Sequence, residues 1–179
     1  MMESRRMTSA PTPAEMKTFV WVGLALFMGA TTQQVGLLTT TVTNSSFLTA
    51  LYVIFVPVIA VIVYRRHPHW IVWPGALMML CGIFLLSGGA VTRLTTGDLL
   101  SISCAFFWAI QITLAGRFVM QSNRPLALSC TQFAVCAVLS MLIGIFMEPI
   151  NITAIASSMK EILYVGLVSS GLAFVLQVI

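Results

Sequence analysis

In this chain of 179 residues, hydrophobic residues make up 59% and charged residues 8%, and the mean hydropathy is +1.00. A soluble domain carries about 25% charged residues, so the composition excludes a water-facing globular surface and makes lipid the main solvent. The formal charge of +4 comes from basic residues scattered among loops, which excludes a nucleic-acid-binding patch.

Residues 1–17 are polar and contain Pro11 and Pro13. The apolar run that follows is too long for a signal-peptide core and lacks a cleavage-like end, so it is not read as a secretory signal. About 20 apolar residues cross a ~30 Å hydrocarbon core as a helix. Six runs fit or nearly fit: Phe19–Leu38, Phe47–Tyr64, Trp70–Ser87, Leu99–Ala115, Leu126–Phe146 and Ile162–Ile179. Period-two alternation does not compete with helix in any of them. The predicted fold is therefore an all-α polytopic membrane protein whose consecutive helices, joined by short polar connections, run antiparallel. Cys81, Cys104, Cys130 and Cys136 lie inside apolar runs, without ligand-like spacing to His67 and His69. They read as free thiols rather than metal ligands or disulfides, and no bound cofactor is expected.

Loop charges set the orientation. Arg5, Arg6, Lys17, Arg65, Arg66, Arg117 and Arg124 fall on one side, and only Arg93 and Lys160 on the other. The positive-inside rule makes the first side, with residues 1–17, cytoplasmic. Tyr64, Trp70 and Trp73 supply an aromatic anchor at that interface.

Met16–Val35, MKTFVWVGLALFMGATTQQV, aligns with Met159–Val178, MKEILYVGLVSSGLAFVLQV, at eight identical positions of twenty. The matched helices lie an odd number of helices apart and so run in opposite directions. This is the pattern of the inverted repeats found in secondary transporters. The mates of the intervening helices are absent, so the six runs read as the middle of a ten-helix protein and the chain as a fragment.

Two segments carry a family resemblance. One holds Phe47–Leu48–Thr49, then Tyr52–Val53, then Pro57; the other opens with Gly97–Asp98–Leu99–Leu100 and has Phe107–Trp108–Ala109 about two turns in. From about Lys17 to its end the chain resembles the EamA-type transporters of the drug/metabolite transporter superfamily. Residues 18–90 would be the C-terminal part of a first EamA-like repeat, and residues 97–179 the N-terminal part of a second. The resemblance implies a multi-pass carrier of the inner (plasma) membrane, with both termini cytoplasmic. It also implies alternating access of a small-molecule substrate to a cavity between the repeats.

The apolar runs contain no charge, so chemistry inside the membrane rests on neutral polar residues. Asp98 is placed to cap the fourth run. Ser101, Cys104, Trp108 and Gln111 share one helix face, as do Ser45, Thr49 and Tyr52, and as do Ser129, Gln132, Cys136 and Ser140. Lipid offers these groups no partner, so the stripes are expected to face other helices. Two readings stay open for them: a substrate cavity, favoured for Thr49, Tyr52, Trp108 and Gln111, or interhelical packing, favoured for the cysteines, Thr131 and Ser140. Trp108 would lie ~14 Å deep and Tyr52 ~8 Å.

Pro57 frees a backbone carbonyl one turn earlier and is either a hinge or a tolerated kink. Gln34, ~22 Å along the first run, is matched in the repeat by Gln177, and the two are candidate paired cavity contacts. Gln33 has no such mate and reads as packing. Small residues four apart, Ala25/Gly29, Ala105/Ala109, Ser140/Gly144 and Gly166/Ser170, are expected to permit close helix contact.

The function read from these features is secondary transport, with export of a small polar or amphipathic metabolite. The alternative is a non-transporting, truncated partner subunit paired in the bilayer with a full-length carrier; whether the chain forms homo- or hetero-oligomers stays open. An intramembrane enzyme is disfavoured, since the helices hold no Ser/His, Asp/Asp or His/Glu/His constellation.

Overall fold

The computed structural model describes residues 12–65, 69–86, 95–122, 124–147, 152–173 and 176. Among these residues the regular structure is helical: α1 Pro13–Leu37, α2 Val42–Thr49, α3 Tyr52–Tyr64, α4 Val72–Leu86, α5 Thr96–Ser122, α6 Pro125–Met147, α7 Ile152–Ser157 and α8 Met159–Tyr164. A π-helical stretch, Val165–Leu172, follows α8.

Local chemistry sets several boundaries that hydropathy alone misplaces. Helix α1 starts ahead of Phe19, because Thr12 and Glu15 form a reciprocal box in front of Pro13. The Thr12 N–H donates to Glu15 Oε2 at 2.7 Å, and the Glu15 N–H donates to Thr12 Oγ1 at 3.3 Å. Helix α5 likewise opens on a box. The Thr95 N–H donates to Asp98 Oδ2 at 2.7 Å, and the Asp98 N–H donates to Thr95 Oγ1 at 3.2 Å. Helix α5 then continues past Ala115 through Arg117 to Ser122, since a helix need not stop where its apolar run does.

The second run, expected as one helix over Phe47–Tyr64, starts earlier and is interrupted. Thr41 caps α2 by accepting from the Asn44 N–H at 3.2 Å. At Ala50 and Leu51 the backbone tightens, with ψ of −12° and −18°. Here Leu51 N–H bonds Leu48 O, Val53 N–H bonds Ala50 O, and Ile54 N–H bonds Leu51 O, the i→i−3 pattern of a 3₁₀ turn. The interruption thus precedes Pro57, which is buried inside α3.

The last run also departs from expectation. Over the described part of the expected run Ile162–Ile179, the end of α8 passes into the π-helical stretch rather than continuing as α-helix. The sequence VGLVSSGL of that stretch is rich in glycine and serine, weak α-helix formers that hold the tighter winding poorly. Of the six expected crossings, four are long and apolar enough to span a bilayer among the described residues: Pro13–Leu37, Val42–Tyr64, Thr96–Ser122 and Pro125–Met147.

Packing divides the chain into two compact units. One contains α1 up to Leu24 together with the chain from Ala115 onward. Within it Phe19 and Phe118 meet edge-on at 4.6 Å, and Gly23 lies so close to α6 that a Cβ there would come within 2.8 Å of Val135 Cβ. Most of α6 is uncovered: Val138, Met141, Leu142, Ile145 and Phe146 are all exposed. An apolar surface of this kind is suited to lipid.

The other unit runs from Ala25 to Leu114. Phe47 meets Phe84 at 5.9 Å, and Phe55 meets Phe106 at 6.2 Å. Gly97, Ser101, Ala105 and Ala109, four apart on α5, form a buried stripe of small side chains. Ala25 and Gly29 on α1 are buried as well. Among the described residues, a Cβ on Gly144 or Gly166 would meet nothing within 4 Å, and Ser140 is exposed.

Candidate polar site in the membrane-spanning helices

The site lies in the Ala25–Leu114 unit and starts from the close approach of two glycines. A Cβ on Gly97 would fall within 3.0 Å of Gly36 O, Thr39 Oγ1 and Thr40 N. Only glycine lets the N-terminus of α5 come this near to the end of α1. That approach brings the polar residues after α1 onto Asp98. Its Oδ1 accepts from Thr40 Oγ1 and from Asn44 Nδ2, both at 2.5 Å, while Oδ2 takes the Thr95 N–H. The carboxylate is fully buried, and these three donors replace the water it has lost.

One turn deeper, Ser45 and Ser101 are joined at 2.9 Å. The Ser101 hydroxyl donates its single proton to Gly97 O, also at 2.9 Å, so Ser45 is the donor between the two serines. Deeper again, Cys104 is fully buried and faces the polar groups of Thr49, Trp108 and Thr32. Thr32 Oγ1 turns back to Met28 O and Gly29 O, at 2.7 and 3.1 Å. The Trp108 indole lies over Gly29, where a Cβ would sit 3.4 Å from Nε1 and Cδ1. Thr49 Oγ1 is buried and has no hydrogen-bond partner of good geometry among the described residues. Gln111, a turn beyond Trp108, is 2% exposed.

The structure thus brings Thr49 and Trp108 around one thiol, with Gln111 buried on the same helix face. Tyr52 is half-buried at the start of α3, just past the interruption. Gln34 is exposed while Gln33 is half-buried, the reverse of the burial that the repeat pairing favours. Gln177 lies outside the described residues. On α6, Ser129 and Gln132 are buried, Cys136 is half-buried and Ser140 is exposed. All four cysteines are free.

Three partners escaped the stripe pattern: Thr32, Thr40 and Asn44. The polar run TTTVTNSS, Thr39–Ser46, was the available signal for the last two, since a loop that only met water would not need so many hydroxyls beside a lone aspartate.

Long apolar helices with lipid-facing outer surfaces and buried polar seams define a multi-pass α-helical membrane protein. Residues 4–88 match the EamA-like transporter family. Over 114 residues it is 33% identical to an uncharacterized transporter of Archaeoglobus fulgidus, an alignment covering 64% of this chain and 36% of that relative. The chain therefore aligns with about a third of the length of the curated relative. No solved structure matches.

Proposed function

We propose that the chain belongs to a secondary transporter that moves a small polar or amphipathic metabolite, outward from the cytoplasm, by alternating access between inverted repeats. On this reading residues 18–90 and 97–179 are parts of the two repeats, and residues 1–17 lie in the cytoplasm of a cell whose inner (plasma) membrane holds the protein. The observation that carries the proposal is the grouping of Thr32, Thr49, Cys104 and Trp108 inside membrane-spanning helices, with the Thr49 hydroxyl lacking a well-placed partner. A buried hydroxyl met only by a thiol, a weak acceptor, still gains from a stronger partner, and a polar substrate group is the natural complement. The aromatic face of Trp108 suits the apolar part of the same ligand. The 3₁₀ turn at Ala50–Leu51, between Thr49 and Tyr52, is the place where the wall of the site can bend.

The test is transport into proteoliposomes with a panel of labelled amphipathic metabolites. Trp108→Ala and Gln111→Ala are expected to cut the rate about tenfold or more, the effect of losing one well-placed contact, at unchanged membrane abundance. Loss of abundance instead would assign both residues to packing and overturn the cavity reading.

A further inference from the structure

The buried carboxylate of Asp98 does more than start a helix. Capping occupies Oδ2, which takes the Thr95 N–H; Oδ1 is given to Thr40 and Asn44, from the loop after α1 and from α2. Helix capping does not require that second set of bonds. It joins two segments far apart in sequence at one end of the helices, directly above the Ser45–Ser101 pair and the Cys104 cluster. Beside it the backbones of Gly36 and Gly97 approach closely, so the bonds to Asp98 form where the two segments come nearest.

We propose that the bonds from Thr40 and Asn44 to Asp98 are the latch of a gate on the non-cytoplasmic side, which must come apart for Cys104 and the polar cluster to be reached from that face. The side assigned to it rests on the transporter reading and its orientation; the latch itself rests on the geometry.

Thr40→Ala and Asn44→Ala remove the latch and leave the Thr95–Asp98 box intact, so they separate gating from capping. The readout is the rate at which a membrane-impermeant maleimide labels Cys104, applied to either side of sealed vesicles holding the full chain. Cys81, Cys130 and Cys136 are changed to Ser for this measurement, and a parallel set keeps Cys136 alone. Wild type is expected to label slowly. Each variant should label about tenfold faster from the non-cytoplasmic side, the shift that loss of one charge-assisted bond gives a two-state equilibrium. Thr40→Ser should stay slow, and Cys136 should not change.

Unchanged Cys104 labelling in both variants at wild-type abundance would overturn the latch. So would faster labelling of both cysteines from both sides, which is general loosening. Labelling requires no substrate, so a chain that moves nothing but still shows the shift refutes the transport reading alone.

Discussion

Ser45 donates to Ser101 at 2.9 Å, and Ser101 in turn donates to Gly97 O, so that two helices distant in sequence are tied through one hydroxyl chain. In lipid such a bond stabilises the contact, yet the separated helices also find partners, and the net value is modest. A double-mutant cycle of Ser45→Ala and Ser101→Ala is expected to give a coupling of about 0.6–1.7 kcal/mol. Reversible unfolding in mixed micelles measures it. Additive effects of the two substitutions would mean that the serines are independent.

Gly97→Ala should be among the most harmful single-methyl additions in the chain. Two of the three neighbours it would strike are backbone atoms, Gly36 O and Thr40 N, which cannot move aside as a side chain can. Overpacking of this kind costs about 1–3 kcal/mol. Gly116→Ala, on the same helix, meets nothing within 4 Å and should be neutral or slightly stabilising. The melting temperatures of the two variants in detergent decide this, and equal values would show that the contact at Gly97 is not made.

Thr49→Val keeps the shape of the side chain while removing a hydroxyl that has no well-placed partner. Stability is expected to stay level or rise, by up to about 1–3 kcal/mol. Transport should fall with it if that hydroxyl meets the substrate. A clear loss of thermal stability in the variant would show instead that the hydroxyl is bonded in the folded protein.

The membrane class of the protein was legible from its composition, because so few charges cannot cover a surface in water. The polar stripes of α2 and α5 were legible too, since period and polarity are local properties: Ser45 and Ser101 were on them, and so were Thr49, Cys104 and Trp108. The break at Ala50–Leu51 was not, because neither residue is a helix breaker and Pro57 drew the expectation toward itself. The half-buried Gln33 and exposed Gln34 were also beyond reach. Which of two adjacent amides turns inward depends on where the neighbouring helices stand.

By itself, then, the sequence determined an all-helical chain in lipid, the spacing of its polar residues, and the capping motifs at Thr12–Glu15 and Thr95–Asp98 that local hydrogen bonding dictates. The tertiary structure alone decided that Asp98 would also take Thr40 and Asn44, and that Thr32 would join Thr49 and Trp108 around Cys104. Those partners lie far apart along the chain. Only the close approach of Gly36 and Gly97, a matter of backbone sterics between two helices, brings the first set within bonding distance.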